Sequence, residues 1–325
     1  MSGPDVLLTG ATGFIGSKVL RRLVGGGAKV RALTRDAAAD LPRADGLTWH
    51  TADLSEPASL SGAAEGVGTL IHLASVVSGP ESECAAVNVR GTTALMAEAR
   101  RVGVPRVVHL STAAVYGPGP HDGPAAHEIT PAPVSAASRT RLAGEGPALA
   151  AGGIVLRPGL ILGAGDRWVV PALADLLDEV PARWDSGRGR LSMVDADDLA
   201  RLVTALATGA RQVDTGVHHA SHPHPVRNGD LMARLADLGV LPAAAEDWTW
   251  EACLAQLRQS PGRVSERQFA LLARDHWYRG SEIWRLADCP PGPGPLARLA
   301  AAAPWYRNHL AGRGSSGTGT APRRP

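Results

Sequence analysis

The first turn of the chain constrains its fold more than any other stretch. "DVLLTGATGFIGSKVLRRLVGGG", residues 5 to 27, sets a short apolar run against Gly10, Gly13 and Gly16 and continues into a helical pattern. Ile15, Val19, Leu20, Leu23 and Val24 share one face of that helix, and three glycines at 25 to 27 end it. A strand that passes through a glycine turn into an amphipathic helix cannot bury both of its surfaces alone. It requires further strands beside it and helices above and below.

Those strands follow. "KVRALT", "LTWHTA", "TLIHLA" and "RVVHLS" read as the second to fifth, and "GIVLRPG" as a sixth after the helix containing Arg141. Residues 83 to 102 read as a helix between the fourth and fifth strands. The pattern predicts an α/β fold, a Rossmann-like doubly wound parallel sheet, over residues 1–167, with 190–220 contributing sheet elements. Residues 168–310 then read as a smaller, mainly helical substrate lobe, with "LSMV" and "GVHHAS" as its strand candidates. Seven of the eight tryptophans lie from Trp168 onward, which points to a core rich in flat side chains and to a pocket for a bulky, flat ligand. The Gly- and Pro-rich stretch 117–133 argues against regular structure, and the low-complexity tail 311–325 is expected to be disordered.

Composition narrows the function classes. Net charge is +2 and no basic block occurs, so no nucleic-acid partner is expected. Cys84, Cys253 and Cys289 follow no metal spacing. His218, His219, His222 and His224 lack a carboxylate or cysteine cluster, so no metal is expected. Without a leader or a long apolar run the chain reads as a cytoplasmic protein with no membrane partner. Its oligomeric state stays open.

The glycines at 10, 13 and 16 let a backbone approach a pyrophosphate, and the helix start adds free N–H groups and a positive dipole end. A purely structural turn is the alternative. The second strand ends Leu33-Thr34-Arg35, with no carboxylate before Asp36. Arg35, with Lys18 assisting, suits a 2′-phosphate and therefore NADP(H).

At this point the chain resembles the extended short-chain dehydrogenase/reductase family, the NAD-dependent epimerase/dehydratase group. The likeness rests on "TGATGFIG", "ADL" at 52–54, "HLAS" at 72–75, "NVRGT" at 88–92, "STAAVYG" at 111–117, "LRPGLILG" at 156–163 and "MVDADDLA" at 193–200. The resemblance implies cofactor contacts from Gly10, Thr12, Gly13, Phe14, Ile15, Gly16, Lys18, Arg35, Asp53, Leu54, Leu73, Ala74, Ser75, Asn88, Leu110, Arg141, Pro158, Gly159, Leu160 and Ile161. It implies that Thr112, with Ser111 before it, polarises a substrate carbonyl.

One departure is decisive for the chemistry. Aligning "RTRLAGE" with the family's helix puts Ala137 where its tyrosine belongs and Arg141 where its lysine belongs. The only tyrosines are Tyr116, Tyr278 and Tyr306, and no lysine follows Lys29, so no Tyr-x-x-x-Lys exists. Arg141 keeps a positive charge for the ribose but is too weak an acid to donate a proton. Oxidative first steps lose their base. Reduction remains open, with water, His121, His127 or the substrate's own phenol as proton source. The sequence thus resembles the tyrosine-less ketoreductases of aromatic polyketide (angucyclinone-type) antibiotic pathways. That implies an NADPH-dependent oxidoreductase, with Thr112, Ser111 and Arg141 at its catalytic centre, acting on a hydrophobic aromatic ketone. A non-catalytic NADP-binding sensor or scaffold, and a nucleotide-sugar 4-ketoreductase, are the alternatives. Tyr116 is a further candidate acid.

Overall fold

The computed structural model describes residues 5–36, 40–259 and 264–315, with side chains described to residue 313. Five strands, β1 (Val6–Thr9), β2 (Val30–Thr34), β3 (Leu47–Thr51), β4 (Thr69–His72) and β5 (Arg106–Leu110), join Ile154–Arg157 and Gly216–His219 in one seven-stranded sheet. Across the sheet the order is Gly216–His219, Ile154–Arg157, β5, β4, β1, β2, β3, and every pairing is parallel. β1, β4 and Ile154–Arg157 are buried along their whole length, the signature of strands covered on both faces.

The two faces alternate residue by residue, as a period of two demands. Leu8, Ile71, Val108 and Leu156 pack under helix α1 (Gly16–Gly25) and the helix Ala196–Thr208. Their neighbours Leu7, Leu70, Val107 and Val155 pack on the opposite face with Leu95, Met96 and Ala99 of the helix Thr92–Arg101. A separate core built on Trp184, Phe269, Leu173 and Tyr306 gathers the helices Val169–Glu179, Asn228–Asp237, Trp250–Gln259, Glu266–Ala273 and Pro295–Ser315. Ile283 and Trp284, beyond the segment expected to return to the sheet, also pack in the first core.

"GVHHAS" supplies the seventh strand of the main sheet, at its edge, pairing Val217 with Val155. "LSMV" does not form one strand. Arg190–Leu191 and Met193–Asp195 belong to different small sheets, because Leu191 pairs with His276 and Val194 with Ile161. The tail expectation needs correcting at its start. The last helix, Pro295–Ser315, carries regular structure through 311–315, and the remaining residues of that tail lie outside the described ones. Within the Gly- and Pro-rich stretch, His121–Asp122 makes a short parallel pairing with His276–Trp277. No helix among the described residues is long and apolar enough to cross a membrane.

Candidate active site

Because all seven strands run parallel, their C-terminal ends share one edge, and the candidate residues from Gly10 to Ile161 follow those ends. The chain moves outward from β1 to β2 and β3, then returns to β4 on the other side of β1. That reversal opens a crevice between β1 and β4, the usual ligand position in such sheets. Gly10 sits there at φ +72°, and a methyl group on it would lie 2.8 Å from the Ala74 backbone nitrogen. A methyl on Gly16 would lie 1.9 Å from the Gly10 carbonyl oxygen. Only glycine fits either position. α1 begins without a side-chain cap and without an acidic residue in its first turn; its Ser17 and Lys18 N–H groups donate to the Gly13 and Ile15 carbonyls, and the positive end of its dipole still favours an anion. Thr12 is exposed beside them, Phe14 is half-buried, and Ile15 is buried. These residues fit a pyrophosphate.

Polar staples hold the crevice walls. Thr9 Oγ1 accepts the backbone N–H groups of Leu73 and Ala74, each at 3.2 Å, and donates to His72 Nδ1 at 2.7 Å. The other ring nitrogen of His72 donates to Thr92 Oγ1 at 2.9 Å, and burial holds this imidazole neutral with its pKa lowered to about 4. Asn88, in a π-helical turn, is committed as well. Its Oδ1 accepts Val76 N–H at 2.8 Å, and its Nδ2 donates to Val76 O and Thr140 Oγ1. Asn88 therefore positions the strand β4 loop, next to Ser75, rather than offering its own amide to a ligand. Asp53 closes a local turn by accepting from Ser55, and Leu54 is buried beneath it. Pro158 O accepts from Ala113, Gly159 N–H donates to Ser221 Oγ, and Leu160 and Ile161 pair with Met193–Asp195.

The two basic residues assigned to the adenine side part company. Arg35 is exposed at the end of β2, with no hydrogen bond or ion pair to any described residue. Lys18 is not available to assist it. Its ammonium pairs with Asp197 at 2.9 Å, because α1 packs against the helix that Asp197 opens.

Thr112, Ala137 and Arg141 line one cavity of about 260 Å³, together with Val77, Ala114, Ser135, Ser138 and Trp168. Thr112 Oγ1 accepts the Ala114 N–H at 3.2 Å as an N-cap, which leaves its O–H free to donate. Ser135 and Ser138 form a capping box at the start of the helix Ala136–Ala150 and spend their hydroxyls on each other and on the Ser135 carbonyl. Arg141 donates through Nη2 to the carbonyls of Leu110 and Ser111, at 3.0 and 2.7 Å. Burial lowers its pKa to about 10, against the raising influence of Glu145, so it remains a cation at neutral pH. Arg141 is the one ionisable group among the residues lining this cavity.

Ser111 does not share the cavity with Thr112. Successive residues of an extended chain point to opposite faces, and Ser111 turns inward to donate to Glu145 Oε1. Glu145 and Arg157 form a buried two-pronged ion pair, with side-chain exposures of 4% and 6%. Arg157 also donates to the Tyr116 hydroxyl at 2.9 Å, and Tyr116 lies 2.7 Å from His219 Nε2. His219 Nδ1 faces the Arg279 carbonyl, so Nε2 is the acceptor and Tyr116 the donor. The loop histidines also stand apart from the cavity. His121 Nδ1 contacts the Tyr278 hydroxyl at 2.9 Å, and His127 lines a different cavity with His218, His219 and Arg279. Sequence reasoning missed Glu145 and Arg157, which lie on different elements with no spacing signal. It missed Ser135 and Ser138 as lining residues although their capping pattern is legible.

The NAD dependent epimerase/dehydratase family matches residues 6–219. Sterol demethylase protein B of Methylococcus capsulatus is 45% identical over 119 residues, 35% of this chain and 36% of that protein. The 4-hydroxy-2-methyl-3-oxo-4-farnesyl-3,4-dihydroquinoline-1-oxide ketoreductase of Stigmatella aurantiaca is 32% identical over 192 residues, 56% of this chain and 58% of that one. These two matches thus span less than two thirds of the relatives' own lengths. A putative dihydroflavonol 4-reductase of Synechocystis is 28% identical over 341 residues, covering 93% and 94%. Among solved structures, a short-chain dehydrogenase/reductase superfamily protein from Agrobacterium tumefaciens with bound NAD shares the fold. Its TM-score is 0.72 at 21% identity, over 95% of this chain and 99% of that one.

Proposed function

The chain belongs to the NAD-dependent epimerase/dehydratase family, and from that premise we propose that it is an NADPH-dependent ketoreductase acting on an aromatic ketone without a side-chain acid. One observation carries the reading. The cavity that joins Thr112, Ala137 and Arg141 has no ionisable lining group other than Arg141. The ketoreductase and the dihydroflavonol reductase among the relatives support reduction as the direction of the chemistry.

The glycine turn and the start of α1 would hold the pyrophosphate, and Arg35 the 2′-phosphate that distinguishes NADP from NAD. When bound, the dinucleotide supplies the hydride. The Thr112 hydroxyl, its lone pair occupied by Ala114, donates to the ketone oxygen as negative charge builds there. Arg141 anchors the floor through the Leu110 and Ser111 carbonyls and presents its remaining N–H groups to ribose or substrate. The carbonyl carbon gains the hydride, and the carbonyl oxygen takes a proton from an adjacent phenol of the substrate. Water then reprotonates the phenolate.

The test is NADPH consumption with a peri-hydroxytetralone, a ketone whose aromatic ring carries a hydroxyl beside the carbonyl. Unsubstituted tetralone and a nucleotide-sugar 4-ketone serve as comparisons. Turnover is expected with the hydroxytetralone, slower turnover with tetralone, and none with the sugar. Arg35→Ala is expected to reduce the preference for NADPH over NADH by roughly 10- to 100-fold, the loss of one charge-assisted contact. Tight NADPH binding with no ketone turned over would favour the sensor or scaffold reading.

A further inference from the structure

Eight tryptophans invite the question of which one, if any, is kept for a ligand. Seven are satisfied within the protein. Trp184 is buried, packs edge-on to Phe269 and donates to Val180 O. Trp250 stacks on Phe269 beneath Arg274, and Trp305 stacks on His309. The indole N–H groups of Trp49, Trp248, Trp277 and Trp284 donate to Pro42 O, Glu246, Asp122 and Ser221 O. Trp168 alone has neither a ring contact nor an indole hydrogen bond among the described residues, and it is 61% exposed.

Its backbone is nevertheless tightly held. Buried Asp166 accepts the N–H groups of Trp168, Val169 and Val170, and Tyr306 donates to the same carboxylate. A large apolar ring is thus presented to solvent from a fixed support, forgoing the stabilisation that burying it would contribute. The position is also singular. The large hydrophobic side chains left exposed among the described residues are Val77, Val134 and Trp168. Val77 and Trp168 line the cavity that holds Thr112 and Arg141, and Val134 directly precedes its Ser135. An apolar rim around a small polar floor is the arrangement of a site for a mostly apolar ligand that carries one oxygen to be oriented.

We infer that Trp168 is the stacking platform for the substrate's aromatic rings and sets the preference for planar over aliphatic ketones. The cavity's 260 Å³ lies just under the ~300 Å³ at which sites for drug-sized ligands begin. The enclosed part of the ligand is therefore its reacting ring, seated between Thr112 and the space that the Ala137 methyl leaves open, and the remaining rings extend over Trp168 and Val77. This substrate class rests on the ketoreductase reading, but the indole's role is read by binding as well as by turnover.

The experiment compares the full-length protein with Trp168→Ala and Trp168→Phe. Calorimetry on NADP⁺-loaded protein measures peri-hydroxytetralone affinity, and steady-state assays measure KM for that ketone and for cyclohexanone. Trp168→Ala is expected to weaken ketone binding and raise its KM roughly 10-fold or more, with kcat, NADPH affinity and thermal stability little changed. Trp168→Phe is expected to recover part of the loss, and cyclohexanone to be indifferent to all three forms. Weaker binding to Trp168→Ala without turnover in any form would uphold the platform and overturn the ketoreductase. Equal affinity and KM in the wild type and Trp168→Ala, or no ketone binding to the wild type, would overturn the platform.

Discussion

At the end of β5 the chain carries two hydroxyls in succession, and they enter opposite kinds of surroundings. Ser111 faces a closed polar network in which Glu145, Arg157, Tyr116 and His219 each satisfy a neighbour. Thr112 faces an open cavity of mostly apolar walls, where its own proton has no partner among the described residues. The network holds the family's Tyr116 and an ion pair at full burial, so it has the look of acid–base machinery. The cavity has almost no titratable group. The contrast teaches that ionisable residues near a crevice are not evidence of catalysis until their lone pairs and protons are counted. Here the groups that titrate are spent on structure, and the groups left unspent cannot titrate.

The contrast breaks most easily at the ion pair. Glu145→Gln keeps the shape but removes the charge that balances Arg157, leaving a buried guanidinium uncompensated. That loss is expected to cost about 3–5 kcal/mol in denaturant unfolding. The substituted protein that still folds is expected to retain NADPH binding, since neither residue lines the cavity. Unfolding midpoints equal to those of the wild type would mean that the network does not hold the sheet edge.

The reverse pattern is expected across the chain's next peptide bond. Thr112→Val removes the hydroxyl aimed at the ketone oxygen and is expected to lower kcat by roughly 10²–10³-fold, as loss of one oxyanion donor does elsewhere. Stability is expected to fall by only about 1 kcal/mol, the worth of the lost N-cap to Ala114. KM and NADPH affinity are expected to move little. Loss of binding instead of kcat would make Thr112 a positioning residue.

Much of the fold was legible because it obeys periodicities. The first five strands and α1 stand where the alternation of apolar runs and helical faces put them. The strand at Gly216–His219 was visible and its return to the sheet expected, but its place at the edge beside Ile154–Arg157 was not readable from its own residues, since that pairing is a long-range choice. The convergence of Thr112, Ala137 and Arg141 followed from motif order, and these residues do share a cavity. Lys18 and Ser111 point away from the places their motifs suggested, for one common reason. Each was placed by sequence proximity to a motif, while its direction is set by a partner far along the chain, Asp197 or Glu145. Trp168 was one of seven candidates in sequence, and only the packing of the other six in that lobe separates it.

Tyr116 gives the finest probe of the division. In the sequence it is a rival acid beside Thr112. In the fold its hydroxyl accepts from Arg157 and donates to His219, whose pKa burial lowers to about 4. An acid whose proton is held by a neutral buried imidazole, and whose own pKa burial raises, has neither reach nor tendency to deliver it to the cavity. Tyr116→Phe keeps the ring against Tyr278 but strands one Arg157 N–H and the His219 nitrogen, at a cost of about 1–3 kcal/mol. Turnover of peri-hydroxytetralone and its pH profile are expected to be those of the wild type. A fall in kcat with a displaced pH profile would connect the two environments that the end of β5 keeps apart, and would return the proton to the protein.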